Sequence, residues 1–407
     1  LLRRSIGSVR TAHHRPDEEA RVKVGIPRET GAGERRVAVV PAVVGRLTAA
    51  KLDVLVEAAA GEAAGLTDNG YAAAGARVVP DAATLYAEAD VVVKVQRPLA
   101  DPRTGEHEVD LLRPGQTLVS LYVPSDDPEV ARRAAERDAT WFSMDLVPRI
   151  SRAQPMDARS AMSTLAGYKA VLLAANAYGR LFPMLSTAAG TIAPAKLLVL
   201  GVGVAGLQAI ATARRLGAVV SAFDVRPQVK QEVESLGARF LSIDVVSEQD
   251  ASGYAIGISE EQERRQREQM AGFVREADIV IATALVPGRK APLLVTGEMV
   301  GQMKPGSVIV DLAAEQGGNC EWTEAGRTVE RGGVTIIGPV DVPSALPGLA
   351  SQLYARTVTA FLLSMVKDGA LALDFDDPIV RDSCVVRDGK VTAQGAVAMA
   401  VAHGGTE

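Results

Sequence analysis

The stretch Leu197–Arg226, LLVLGVGVAGLQAIATARRLGAVVSAFDVR, constrains the fold more than any other region of the chain. Leu197-Leu198-Val199-Leu200 is an apolar run short enough for a buried parallel strand. Gly201-Val202-Gly203-Val204-Ala205-Gly206 follows it without a spacer, and a helical pattern begins at once. Gly201 permits a tight turn, Gly203 opens the main chain to a pyrophosphate, and Gly206 lets helix and strand pack closely. The helix start offers unpaired N–H groups to phosphate oxygens. A second apolar run, Ala218 to Phe223, ends in Asp224, twenty-three residues after Gly201, where a carboxylate accepts hydrogen bonds from an adenosine ribose. Strand, turn, helix and acid together form a dinucleotide fingerprint. The competing reading is a glycine turn without a ligand, as many isolated G-x-G-x-x-G matches are. Asp224 favours NAD because a carboxylate repels the 2′-phosphate of NADP, whereas Arg226 would attract one.

The 407 residues suffice for two or three domains, and 47% hydrophobic with 23% charged residues is a globular composition. A net charge of −5 with no basic stripe argues against a nucleic-acid partner. Cys320 and Cys384, the only cysteines, show neither a metal-ligand spacing nor a disulfide framework; a reducing compartment fits, and no metal site is expected. The longest apolar run, Leu197 to Ala213, is the glycine-punctuated unit itself. It does not resemble a membrane span of about 20 apolar residues, so a soluble chain is expected.

Residues 1–20 read as a disordered leader in preference to an organellar transit peptide, although the first fifteen carry Arg3, Arg4, Arg10 and Arg15 and no acid. From Arg21 the pattern is α/β. Strands are expected at Val22 to Ile26, Arg36 to Val40, Val54 to Glu57, Val91 to Val95, Thr117 to Val123 and Thr140 to Leu146, with helices from Pro41 and at Asp127 to Arg137. Pro148 to Tyr168 breaks the periodicity and leads into an alanine-rich helix, Gly167 to Tyr178. A polar loop at a domain junction is either functional or a solvated linker.

Beyond the fingerprint, Gly253 and Tyr254 lie in a polar stretch read as a mobile loop, followed by a charged helix at Glu260 to Met270. Ile279 to Leu285 reads as a buried strand. It places Thr283, Ala284 and Leu285 at the carboxyl edge of the sheet, where ligands of open α/β sheets sit. Ser307 to Leu312 and Thr335 to Ile337 extend that sheet, and a helix at roughly Ser351 to Lys367 returns to the first domain. Residues 371–407 form a tail with a hairpin around Asp388-Gly389.

The histidines, His13, His14, His107 and His403, all lie away from the expected cleft. An enzyme that reduces a carbonyl or imine usually places an acid/base, often His. Hydride transfer between two nicotinamide rings needs only positioning.

The loop P-R-I-S-R-A-Q-x-M-D at Pro148 to Asp157, followed by Leu165-Ala166-Gly167-Tyr168, closely resembles the NAD(H)-binding domain of proton-translocating nicotinamide nucleotide transhydrogenases. Val24-Gly25-Ile26-Pro27-Arg28-Glu29, Phe182-Pro183-Met184-Leu185, Asp224-Val225-Arg226, Thr283-Ala284-Leu285 and Gly317-Gly318-Asn319-Cys320 share the likeness, which runs from about Val22 to Val391. Pro155, Arg159, Thr164 and the run Gly338 to Pro343 depart from the family pattern.

The resemblance implies two Rossmann-like doubly wound parallel-sheet domains joined by long helices. One comprises residues 21–147 with 350–370, the other, binding NAD(H), residues 148–349. It further implies that Arg149, Gln154, Asp157 and Ser160 orient the nicotinamide, with Ile150 and Ser151 beside them. Gly201, Gly203, Val204, Ala205 and Gly206 would meet the pyrophosphate, Asp224, Val225 and Arg226 would hold the adenosine, Gly253 and Tyr254 would close over NAD, and Thr283, Ala284 and Leu285 would line the pocket. Hydride would pass to NADP(H) on a partner domain, coupled to proton movement by a membrane domain on another chain. The subunit would be a homodimer, cytoplasmic and peripheral on the inner face of the plasma membrane.

Alanine dehydrogenase is the alternative, since Arg36 resembles its substrate-carboxylate arginine. Its substrate lysine falls at Gln96 and its catalytic histidine at Val123, and neither replacement titrates. A non-catalytic NAD-sensing module is the third reading.

Overall fold

The computed structural model describes residues 21–125, 127–242, 248–249, 255–256, 260–286 and 290–395. Gly253, Tyr254 and the leader lie outside the described residues.

Two large sheets organise the chain. The first has eight strands in the order Lys390–Val391, Cys384–Arg387, Thr140–Ser143, Thr117–Ser120, Val91–Val93, Lys23–Ile26, Asp53–Glu57 and Arg77–Val79. Its pairings are parallel from Thr140–Ser143 onward. The second sheet runs Arg239–Phe240, Val219–Phe223, Lys196–Leu200, Ile279–Ala282, Val308–Asp311, Val334–Gly338 and Arg327–Arg331, parallel except at its last pair. Both are the doubly wound sheets expected.

Their strands are apolar without interruption because both faces are covered. Val91 and Val93 enter one hydrophobic cluster while Val92, between them, enters another on the opposite face. Leu197 and Val199 likewise part from Leu198 and Leu200. Each sheet also has a switch point, where adjacent parallel strands continue in opposite directions across the sheet: Lys196–Leu200 beside Ile279–Ala282, and Lys23–Ile26 beside Val91–Val93. Crevices form beyond the carboxyl ends of such strands.

Three expectations change. Arg36 to Val40 is not a strand. Val37, Ala38, Val39 and Val40 are buried, but their backbone partners are side chains: Arg36 N–H donates to the Glu34 carboxylate (2.8 Å), Val37 N–H to the Ser351 hydroxyl (3.0 Å), and the Tyr71 hydroxyl donates to the Val39 carbonyl (2.7 Å). Apolar content there reports burial, and the side chains supply what a ladder would.

The alanine-rich helix begins at Ala158 instead of Gly167 and ends at Ala177, because Asp157 caps it by accepting the Ser160 N–H at 2.9 Å. Pro148 to Tyr168 is therefore a loop only up to Asp157, with a 3₁₀ turn at Ser151–Met156 inside it. Residues beyond the return helix also do not stand apart. Cys384–Arg387 pairs antiparallel with Thr140–Ser143 and turns back at the Asp388-Gly389 hairpin, so buried Cys384, Val385 and Val386 complete the first sheet.

Two helices join the halves. The junction helix, Ala158–Ala177, places Ala158, Met162 and Leu165 in the core of the first sheet and Ala170, Val171 and Ala174 in that of the second. The return helix, Pro347–Ser364, buries Tyr354, Val358, Phe361 and Leu362 against the first sheet. No helix among the described residues is long and apolar enough to cross a membrane.

Candidate functional site

The glycine turn follows Leu200 at the switch point of the second sheet. Gly201 has φ +89°, and a β-carbon there would meet the Ala284 nitrogen at 2.8 Å. At Gly206 a β-carbon would lie 2.1 Å from the Gly201 carbonyl oxygen, whereas at Gly203 it would meet nothing within 4 Å. The helix Val204–Arg215 starts on Gly203 with no side-chain cap and no acid in its first turn. An open turn leading to an uncapped helix start fits a phosphate group, whose charge also suits the positive end of the helix.

Asp224 closes the side of this turn. One carboxylate oxygen accepts the Val202 N–H at 2.7 Å; the other accepts the backbone N–H and Nε of Arg226, both at 2.9 Å. Burial alone would raise the Asp224 carboxyl, but these donors hold it below the usual range, so it is ionised at neutral pH. The Arg226 guanidinium is turned onto this acid and also donates to the Val202 carbonyl at 3.1 Å. Val225 is exposed.

Thr283 and Ala284 are bolted to the same turn. The Thr283 hydroxyl donates to the Gly201 carbonyl at 2.8 Å. Fully buried Asn319 accepts the Ala284 N–H (3.0 Å) and donates to the carbonyls of Ala284 (2.9 Å) and Pro292 (2.8 Å). Asn319 is itself fixed by its N–H to the Asp311 carboxylate at 2.7 Å. The glycine-rich loop after Val308–Asp311 thus carries the amide that shapes the next edge of the site.

Between the sheets lies a cleft of about 920 Å³. The first domain contributes Arg36, Gln96 and Val123; the junction helix contributes Arg159, Met162 and Ser163; Ala205, Thr283 and Leu285 face them. Asp341, at the crossing from the second sheet to the return helix, completes the lining. Glu34 takes the Arg36 guanidinium through Nε (2.8 Å) and Nη2 (2.5 Å), and Gln96 Nε2 donates to both Glu34 (2.9 Å) and Asp341 (3.1 Å). Burial would raise the Glu34 carboxyl, yet the Arg36 bonds hold it at about 2. Burial and the nearby Glu34 charge raise Asp341 above the ordinary carboxylate range.

The residues expected to act together are only partly assembled. Ala205, Thr283 and Leu285 line the cleft, and Gly201, Gly203, Val204 and Gly206 form the turn at its edge. Asp157 and Ser160 are half-buried and bonded to each other, hydroxyl to carboxylate at 2.6 Å. Arg149, Ile150, Ser151 and Gln154 sit on the preceding loop and are not among the lining residues. Arg159 and Ser163 line it instead. Their i, i+4 spacing would have revealed them had Asp157 been read as a cap. Lys290 and Asp341 also face the cleft, without a sequence signal. His107, the one histidine among the described residues, accepts the Val109 N–H at 3.2 Å and is absent from the lining.

Residues 25–166 match the family "Alanine dehydrogenase/PNT, N-terminal domain", and residues 170–394 match "Alanine dehydrogenase/PNT, C-terminal domain". The chain is 46% identical over 385 residues to an NAD(P) transhydrogenase subunit alpha protein of Rhodospirillum rubrum, covering 92% of this chain and 100% of that protein. It superposes on a transhydrogenase from Sinorhizobium meliloti with a TM-score of 0.78 and 43% identity, over 91% of this chain and 98% of the other. An L-alanine dehydrogenase gives a TM-score of 0.77 at 28% identity, over 93% and 99%.

Proposed function

This chain belongs to the alanine dehydrogenase/PNT family, and within that family we propose that it is the NAD(H)-binding subunit of a proton-translocating transhydrogenase. The observation that carries the choice is the cleft lining. Arg36, Gln96 and Val123 face one space. The positions matching the substrate lysine and catalytic histidine of an alanine dehydrogenase thus hold an amide and an isopropyl group, neither able to exchange a proton near neutral pH. Hydride passage from NADH to NADP⁺ needs no such exchange. The hydride leaves one nicotinamide C4 with its electron pair and arrives at the other, giving NAD⁺ and NADPH.

In this reading the uncapped helix start at Gly203–Gly206 receives the pyrophosphate and Asp224 the adenosine ribose, with Val225 and Arg226 flanking it. Bound NAD(H) supplies the hydride chemistry. The residues of this chain position it and exclude water: Thr283, Ala284 and Leu285 border the ring, and Arg149, Gln154, Asp157 and Ser160 orient it from the loop ahead of the junction helix. Gly253 and Tyr254 close over it. The first domain comprises 21–147 and 350–370, joined by the strands at 384–391, and the NAD(H) domain comprises 148–349. NADP(H) sits on a partner domain and a membrane domain on another chain couples the transfer to proton movement, which keeps this subunit peripheral on the cytoplasmic face. Two copies pair. The exposed hairpin Leu185–Thr187 and Gly190–Ile192, with Leu181, Met184, Leu185 and Ile192 open to solvent, offers apolar surface for that contact.

The test is NADH oxidation by the purified chain with pyruvate and ammonia, and separately with an NADP⁺-loaded transhydrogenase partner domain. Oxidation only with the partner is expected. Oxidation with pyruvate and ammonia would establish an amino-acid dehydrogenase, and NADH binding without oxidation in either mixture would leave a sensing module.

A further inference from the structure

The Arg36 guanidinium has two usable edges. Nε and Nη2 are taken by Glu34. The outer edge, Nη1 and Nη2, faces the Met162 sulfur at 3.5 Å and an Asp341 carboxylate oxygen at 3.8 Å. An arginine edge of this kind receives an organic carboxylate in two parallel hydrogen bonds, and Arg36, Met162 and Asp341 all line the cleft. Asp341 stands where such a ligand would approach. It is held there by Gln96 Nε2 and by its own backbone, at φ +45° in the crossing to the return helix.

We propose that Asp341 is a specificity-determining residue: its carboxylate guards the outer edge of Arg36 against organic carboxylates and leaves that end of the cleft to uncharged groups such as carboxamides. Charge counting supports this. Glu34 and Asp341 already share one guanidinium and one amide, so a third carboxylate would add a further uncompensated negative charge to a site where charges are poorly solvated. A carboxamide adds none. The charged groups facing Asp341 are Glu34 and Arg36, with Glu29 behind Arg36. Because burial and Glu34 raise the Asp341 carboxyl, the guard is discharged on the acid side and the exclusion weakens there. The inference rests on the transhydrogenase reading only in taking this cleft as the ligand site.

Pyruvate titrated calorimetrically into the full chain at pH 8 and pH 5 tests it, using the native protein and Asp341→Asn. Asparagine tolerates the positive φ, and an unchanged unfolding temperature marks a folded variant; Asp341→Ser serves if it is not. At pH 8 the variant should bind pyruvate at least about tenfold more tightly than the native chain, a difference of about 1.4 kcal/mol. The native chain should gain affinity at pH 5 by a larger factor than the variant. Equal affinities at pH 8, or no binding by either variant, would overturn the proposal. Neither result touches hydride transfer, which the partner-domain assay reads separately.

Discussion

The β-carbon that Gly167 lacks would lie 2.0 Å from the carbonyl oxygen of Ala205. The junction helix therefore meets the first turn of the fingerprint helix backbone to backbone, at the level where its own contacts pass from one core to the other. A carbonyl inside a helix cannot swing away. Gly167→Ala should cost about 1–3 kcal/mol through overpacking, measured as a lowered unfolding temperature; an unchanged temperature would mean that the helices separate freely.

Asn319→Ala should be the more damaging change. It strands the Ala284 N–H and two carbonyls that Asn319 now satisfies, and each buried group left without a partner costs roughly 1–3 kcal/mol. A loss of about 3 kcal/mol in urea unfolding is expected on that basis, together with weaker NADH binding as the Thr283-Ala284-Leu285 edge loosens.

Asp224 and Arg149 should fail differently. Asp224→Ala removes the acceptor that ties Val202 and Arg226 to the turn, and NADH affinity should fall by about tenfold or more, the loss expected for hydrogen bonds to a charged group. Arg149→Ala should slow hydride transfer far more than it weakens NADH binding. Equal losses in stopped-flow rate and equilibrium titration would show that Arg149 holds the cofactor without orienting it.

A pH-dependent stability should trace to Glu29. Buried Lys94 faces two buried carboxylates, Glu29 at 3.1 Å and Glu108 at 2.7 Å, and one ammonium cannot neutralise both. Burial, opposed by Lys94, leaves the Glu29 carboxyl pushed up to about 7 from 4.5. A group raised on folding stabilises fully below its unfolded value, and the contribution is lost as pH rises through the folded one. Stability should therefore decline between about pH 4.5 and 7 by an amount on the order of 3 kcal/mol. Glu29→Gln should flatten that decline; an equal slope in both proteins would place the titration elsewhere.

The features of the site that depend on short-range geometry were legible in the sequence. Gly201, Gly203 and Gly206 each meet the steric situation that their spacing implies, since the reason for a glycine is local. Asp157 was legible as a polar residue but not as a cap, and the helix it starts turns an apparent linker into a cleft wall carrying Arg159 and Ser163. Asp341 and Gln96 lie 245 positions apart, and their hydrogen bond arises only from the crossing of the second sheet back to the first. No periodicity records such a pairing. Val37 to Val40 misled in the opposite sense: their burial is real, but a hydroxyl from Ser351 replaces the neighbouring strand.

The first sheet takes its last two strands from residues 384–391, and its core requires the return helix at Pro347–Ser364. During synthesis the second sheet receives its final strand at Gly338 while the first still lacks these pieces. The domain begun first is thus finished last. It must wait, with Thr140–Ser143 as an open edge, while the nucleotide domain emerges as an insertion within it. An arrest of translation after Gly338 would leave a complete second sheet beside an aggregation-prone first one, so the last stretch of translation governs whether the earliest strands stay soluble.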